Sequence, residues 1–352
     1  MATRSRRATQ ADVARLAGVS QTTVSMVLNG TGVTERRVRD EVRDRVLQAI
    51  EVTGYAANPI AQRLAGGRTS IVGVYTYEPV FPHAGADFYY PFLEGVEDEA
   101  ESAEVDLLMF TSLSARSGRR LLSSGGMSRL RVADGCILLG RRSYPDDLAA
   151  LLRQDFPFAF VGRREAPGGQ VPYAAADYAT ATAQVVENLL DLGHRRIVLI
   201  NEFTGHESIE DRARGYRRAM AAAGLQPVRL DEPDMSSSEL LDSLRSGGVT
   251  ATVVSSDLAE PLRTTALARG MSVPGDLSIA RLGDPERAET QDIDWTGFRI
   301  PRRQMGAGAL RIVLHQLNPA EDEPQLQTSI PCTLNAGTTA GPPNPASAPA
   351  PN

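Results

Sequence analysis

Apolar residues recur at helical spacing through the first fifty or so positions and in short unbroken runs after that, and this change of period divides the chain. In TQADVARLAGVSQTTVSMVLN, from Thr9 to Asn29, Val13, Leu16 and Ala17 give a first helix its apolar stripe. Val24, Val27 and Leu28 do the same for a second. Thr9 with Asp12 three residues later fits a capping box, Gly18 ends the first helix, and Ser20 is a natural N-cap for the next. Gln21, Thr22, Ser25 and Met26 then line the outward face of the second helix. Thr34 is expected to cap a third helix running to about Thr53, with Val38, Val42, Val46 and Ile50 on one face and Gly54 as its stop.

From Thr69 the pattern becomes strand, helix, strand. Ile71 to Tyr75, Asp106 to Phe110, Cys136 to Leu139 and Phe158 to Val161 read as strands, with helices over Pro91 to Glu104 and Asp146 to Arg153. After a Gly- and Pro-bearing stretch from Pro167 to Pro172 the alternation restarts. Helices are expected over Thr180 to Leu192, Asp211 to Ala223 and Leu258 to Arg269, and strands over Arg196 to Ile200, Thr250 to Ser255 and Leu277 to Leu282. Two such rounds imply an α/β chain with two parallel sheets, each covered by helices on both faces. Ligands of open parallel sheets sit beyond the carboxyl ends of the strands, so a small molecule belongs in the cleft between the two lobes. The tail GPPNPASAPAPN, residues 341–352, has five Pro in 12 residues and no apolar period, the composition of a disordered segment.

Charge sharpens the division. Up to Arg68 there are eleven Arg against six acidic residues, so the N-terminal segment carries +5 and the remainder −11 of a net −6. A basic head on an acidic body fits phosphate contact by the head alone. Every basic residue is Arg, which fits codon bias better than mechanism. Cys136 and Cys332 are too few and too distant in sequence for a disulfide framework or a metal cage, and Cys136 lies in the apolar run CILLG. The N-terminus MATRSRRATQ has no apolar stretch behind it and no run approaches the ~20 apolar residues of a membrane span, so a cytoplasmic protein without membrane contact is expected.

Two short helices joined by a tight turn, the second small and polar on its leading face, have the dimensions to enter a DNA major groove. An ordinary helical hairpin is the alternative. The order of motifs along the chain decides between them. DVA, AGVS, TVS, VLN, GY, N-P and A-Q-R-L occur in that order and lead into an apolar strand, within a span that ends in GYAANPIAQRLAGGRTSIVGVY. In this the chain resembles the LacI family of transcriptional regulators over nearly all of residues 9–340.

The resemblance implies a helix-turn-helix domain over residues 1–57, a hinge helix and linker over 58–68, and a two-lobed periplasmic-binding-protein-like core over 69–340. In that fold the chain crosses between lobes three times, which assigns about 69–170 and 299–320 to the first lobe and about 171–298 and 327–340 to the second. By position, Gln21, Thr22 and Met26 match the residues that read base edges. Met26 is a departure, because a thioether donates nothing to guanine. Thr9, Ser20, Thr23 and Asn29 match phosphate contacts that set register. Asn58 to Ala65 resembles the hinge helix, with Leu64 matching the residue that wedges between base pairs and Ala61 permitting two such helices to approach. A linker helix packed on its own body is the alternative there.

In the core, Phe88 and Tyr89 match a ligand-stacking aromatic pair, with core packing as the alternative. Arg212 matches an effector-binding Arg and is otherwise a surface residue among Arg214, Arg217 and Arg218. Asp177 and Asp257 fall at cleft-facing positions. Gly283 stands where sugar binders often place an Asp that accepts hydroxyl hydrogen bonds, so simple hexoses are expected to bind weakly. No dinucleotide fingerprint, P-loop or H-E-x-x-H motif is present. His194 lies in LGHRRI, which looks structural, and His83, His206 and His315 have no recognisable nucleophile or metal partner in the sequence. A secreted solute-binding protein shares the core but lacks the head. The expectation is therefore a homodimeric regulator, a repressor and not an enzyme. It would act on a pseudo-palindromic operator, respond to a sugar or other small metabolite, and need no cofactor or metal.

Overall fold

The computed structural model describes residues 8–29, 38–55, 68–78, 86–111, 122, 126–142, 144–201, 205–231, 235–284, 293–319 and 325–344. The chain forms two compact units, residues 1–70 and 71–352.

In the first unit, α1 (Gln10–Ala17) is closed at its start by the Thr9 and Asp12 capping box and at its end by Gly18 at φ 65°, a conformation that favours glycine. Helix α2 (Gln21–Asn29) begins at Ser20, whose Oγ accepts the Thr23 N–H at 3.1 Å. Val13, Ala14, Ala17 and Val24 bury against Val46 and Ala49 of α3 (Asp40–Thr53), with Val27, Leu28, Ile50 and Tyr55 at the edge of this small core. Helix α3 starts at Asp40, after Arg39, rather than behind Thr34, and residues 30–37 lie outside the described residues. Gly54 ends it at φ 61°, as the sequence predicts.

The second unit holds two six-stranded sheets. The first collects β1 (Ile71–Thr76), β2 (Asp106–Phe110), β3 (Gly135–Leu139), β4 (Phe158–Val161), β5 (Tyr173–Ala176) and β11 (Gln327–Ile330) in the order β11-β5-β4-β3-β1-β2, all parallel. The second collects β6 (Ile197–Asn201), β7 (Val228–Asp231), β8 (Ala251–Ser255), β9 (Ser278–Leu282), β10 (Gly297–Arg299) and β12 (Thr333–Asn335) in the order β12-β10-β9-β8-β6-β7. Only β12 runs antiparallel to its neighbour among the described pairs. Central strands such as GCILL, IVLIN and ATVVS are buried along their whole length, which is why they read as unbroken apolar runs.

The helices are α4 (Ala86–Ser102), α5 (Gly126–Leu130), α6 (Pro145–Arg153), α7 (Tyr178–Asp191), α8 (Glu207–Ala222), α9 (Ser237–Ser246), α10 (Ser256–Ala268) and α11 (Arg302–Leu317). Each lobe seats a helix pair through glycine. A Cβ on Gly215 of α8 would lie 2.1 Å from the Ala179 carbonyl oxygen of α7, and one on Gly306 of α11 would lie 2.0 Å from that of Phe92 in α4. Both positions are closed to any side chain.

Four expectations need correction. Tyr173–Ala176 pairs with β4 and Gln327–Ile330 with β5, so both belong to the first sheet, and the expected lobe boundaries near 170 and 327 shift. The chain crosses at Asp177, at Ile300 and Pro301, and at Pro331 and Cys332. The Gly- and Pro-rich stretch that suggested a lobe boundary only connects β4 to β5. Helix α4 starts at Ala86 and carries Pro91 inside it, at the cost of one backbone hydrogen bond. Helix α8 starts at Glu207, four residues earlier than expected. The tail expected to be disordered is tied down at its start, because the Gly341 carbonyl accepts from His194 Nε2 at 2.9 Å and from Ser278 Oγ at 3.0 Å.

Candidate functional site

A cavity of about 120 Å³ opens at the carboxyl ends of both sheets. Its first-lobe wall is Phe88, Tyr89 and Phe92 of α4, with the segments after β3 (Gly140, Arg141) and β4 (Gly162 to Arg164). The second lobe supplies Tyr178, the first turns of α8, Ser255 to Asp257, Leu282 and Asp284. This volume is close to the ~150 Å³ of a cavity that accepts benzene.

Arg212 owes its place to Gly215. With α8 pressed on α7, the Arg212 guanidinium carbon lies 4.0 Å from the Tyr178 ring centroid and 6.0 Å from that of Phe298. The residue is only 8% exposed, and its NH1 donates to the Ser208 carbonyl at 3.2 Å. Its Nε is buried and makes no hydrogen bond. Arg212 is thus a cleft residue and not one of the surface arginines around it.

Tyr89 is buried and donates through its hydroxyl to Glu78 Oε2 at 2.7 Å. Tyr144 donates to the same carboxylate at 2.9 Å, and the Arg141 N–H also points to it, at 3.2 Å. Burial, with the adjacent Glu78 charge, pushes the Tyr89 phenol up, so it remains a protonated donor. Phe88 packs edge-on to Tyr89 and carries the Arg302 guanidinium at 4.7 Å from its ring centroid. Asp257 lines the cavity in the first turn of α10. Asp177 does not. It caps α7, its carboxylate accepting the Thr180 N–H at 3.0 Å.

Gly283 holds φ 110°, and a Cβ there would meet Ile300 Cδ1 at 2.9 Å. An acidic side chain at this position would strain the backbone and displace the Ile300 side chain. The neighbouring Asp284 carboxylate instead accepts the Ile300 N–H at 2.8 Å.

Sequence reasoning missed Arg163 and Arg164. Both follow the apolar strand β4 at the end where ligands bind, and that placement was the available signal. The Arg163 fork donates to Asp211 through Nε at 2.9 Å and NH2 at 2.8 Å, joining the first lobe to α8 of the second. Arg164, 7% exposed, lies 3.5 Å from Glu207 Oε2 and stacks on Phe160 at 4.4 Å. Burial, and then the Arg164 charge, push the His206 imidazole down, so it sits in the cleft uncharged at neutral pH.

In the head, Gln21 and Thr22 are exposed on α2, Thr23, Ser25 and Met26 are half-buried, and Val24 is fully buried. The Thr9 hydroxyl donates to Asp12 at 2.6 Å and Ser20 Oγ lies 2.9 Å from Thr23 Oγ1, so two of the expected phosphate contacts, Thr9 and Ser20, serve as caps and Thr23 is the partner of the second. Asn29 ends α2, while its side chain, Ala61 and Leu64 lie outside the described residues. No helix among the described residues is long and apolar enough to cross a membrane.

Residues 9–58 match the profile of bacterial regulatory proteins of the lacI family. Residues 79–251 match that of periplasmic binding proteins and sugar binding domain of LacI family, and 186–340 that of a periplasmic binding protein-like domain. The chain belongs to the LacI family. It is 29% identical to catabolite control protein A of Priestia megaterium over 318 residues, 87% of this chain and 92% of that one. It is also 29% identical to the HTH-type transcriptional regulator CelR of Thermobifida fusca over 333 residues, 91% of this chain and 95% of the relative. Among solved structures, a transcriptional regulator CelR-cellobiose complex matches with a TM-score of 0.63 at 26% identity, covering 95% of this chain and all of that one. A lac repressor dimer bound to operator and the anti-inducer ONPF shares the fold, with a TM-score of 0.68 at 22% identity over 96% of this chain and all of that one. These LacI-family relatives are transcriptional regulators, not enzymes.

Proposed function

We propose that this LacI-family protein is a ligand-responsive, sequence-specific repressor that acts in the cytoplasm as a homodimer on a pseudo-palindromic operator. One observation carries the reading. A capped helix-turn-helix with Gln21 and Thr22 exposed is joined in one chain to a two-lobed core whose cleft holds a buried guanidinium, Arg212. Gln21 pairs with adenine, Thr22 offers a hydroxyl and a methyl, and Met26 contacts a thymine methyl. Thr9, Ser20, Thr23 and Asn29 hold phosphates, and Ala61 and Leu64 enter the minor groove. The homologous complexes with cellobiose and with operator support the two binding activities and the dimer.

In the core, Arg212 grips the effector, Phe88 and Tyr89 stack on it, and Asp257 accepts from it. Asp177 acts one step removed, by fixing the start of α7 beneath Tyr178. Ligand binding changes lobe closure and biases the head's affinity for DNA by the difference in its affinity for the two states. Selecting bound sequences from a random duplex pool with the full chain tests this. The expected product is a two-fold symmetric site with half-sites about one helical turn apart. A pool without enrichment contradicts it.

A further inference from the structure

Arg212, Arg164 and Arg302 are 8%, 7% and 7% exposed, and each stacks on an aromatic ring: Tyr178, Phe160 and Phe88 respectively. The first two line the cleft. All three bear electrostatically on the Tyr178 hydroxyl, each favouring its ionised form against the burial that opposes it. Three guanidinium groups withdrawn from water around one phenol are costly unless negative charge balances them.

The carboxylates of the cleft do not supply that balance at Arg212. Asp211 is engaged by the Arg163 fork and by Arg214. Glu207 faces Arg164 at 3.5 Å and accepts the Glu165 N–H. Asp284 accepts the Ile300 N–H, and Asp257 lines the cavity from α10 of the same lobe as Arg212. Among the described residues no carboxylate lies within ion-pair distance of Arg212, and its Nε is buried without an acceptor. A guanidinium stacked on a ring face keeps its N–H edge for in-plane acceptors, which is the geometry of a carboxylate or phosphate. Gly283, whose Cβ position lies 3.4 Å from Arg212 NH2, brings no carboxylate to that guanidinium.

We propose that the effector of this cleft is a small organic oxyanion, a carboxylate or phosphate, whose charge is held by Arg212. The inference rests on the regulator reading and narrows its effector to one charge class.

The test uses the full chain and a matched set of ligands, namely glucose, gluconate and glucose 6-phosphate, together with inorganic phosphate against chloride at equal ionic strength. Calorimetry is expected to show gluconate or glucose 6-phosphate binding at least tenfold tighter than glucose, and the better of the two identifies the oxyanion. Phosphate is expected to raise the melting temperature above the chloride control. Arg212→Gln is expected to abolish both effects, with Arg212→Met read the same way should the first variant not fold. The proposal is overturned if glucose binds as tightly as both acids, if no anion protects the wild type, or if protection persists in the folded variant. Binding of the selected DNA is measured on the same preparations. Intact DNA binding without anion preference overturns this inference alone, whereas absent DNA binding overturns the regulator reading.

Discussion

Replacing Asp211 by Asn removes the carboxylate that joins the two lobes across the cleft. In the closed arrangement it receives Arg163 Nε at 2.9 Å and NH2 at 2.8 Å, a two-bond fork between a side chain 7% exposed and one 21% exposed. Two unit charges 4 Å apart attract by ~4 kcal/mol at an effective dielectric of 20. Desolvating the buried carboxylate offsets much of this, and solvent access on the Arg163 side screens more. A net closed-state bias of ~1–2 kcal/mol remains, or roughly a 5- to 30-fold shift in the ratio of closed to open lobes. The assay is energy transfer between dyes on cysteines placed at Glu101 and Arg218, which are exposed in the first and second lobe respectively, in a Cys332→Ser background. Asp211→Asn and Arg163→Met should each lengthen the mean distance in the ligand-free protein, and the double variant should add little to either. Unchanged distances in both single variants, or fully additive effects, would refute the idea that this pair holds the cleft closed.

His194 supplies the pH prediction. Its Nε2 donates to the Gly341 carbonyl, so its Nδ1, 2.8 Å from Thr250 Oγ1, accepts the threonine proton only while the ring is neutral. Burial pushes its pKa down, so the unfolded chain binds the proton first and stability falls as pH drops below ~6.5. Melting curves of His194→Gln should be flatter than wild type between pH 7 and 5, and parallel slopes would count against this. Gly215→Ala should destabilise the core by ~1–3 kcal/mol or more through overpacking, since its Cβ would lie 2.1 Å from the Ala179 oxygen. Denaturant titration measures that loss, and a neutral substitution would mean α8 is free to shift. Met26→Arg should create a guanine preference of ~1–3 kcal/mol at one position per half-site, read by repeating the sequence selection. An unaltered preference would place Met26 away from base edges.

Local chemistry made the head legible. Thr9, Asp12, Gly18 and Ser20 act within a few residues of themselves, and each does in the structure what its spacing implies. The central strands were legible because full burial leaves no polar face. Tyr173–Ala176 and Gln327–Ile330 were harder, because four small or polar residues carry no period, and only their pairing with β4 and β5 assigns them to a sheet. The cleft followed the same division. Arg212 stood out through its position before Gly215, whereas Arg163 and Arg164 acquire meaning only from Asp211 and Glu207, more than forty residues away. Asp177 shows the converse, an acidic residue at a cleft-facing position whose carboxylate satisfies a helix end. The Ser236 and Glu239 capping box of α9 has the same three-residue spacing as Thr9 and Asp12, within the polar run SSSELLDS.

The central claim is that DNA recognition resides in the N-terminal unit while the core supplies ligand response. Gel shifts of the selected duplex with the full chain and with residues 71–352, across a salt series, test it most directly. The full chain should bind with an affinity that falls steeply and linearly on a log–log plot as salt displaces its phosphate contacts. The truncated chain should stay folded, as a compact unit of its own, and fail to shift the duplex. A truncated chain that binds as tightly as the full one, with the same salt slope, would contradict the account.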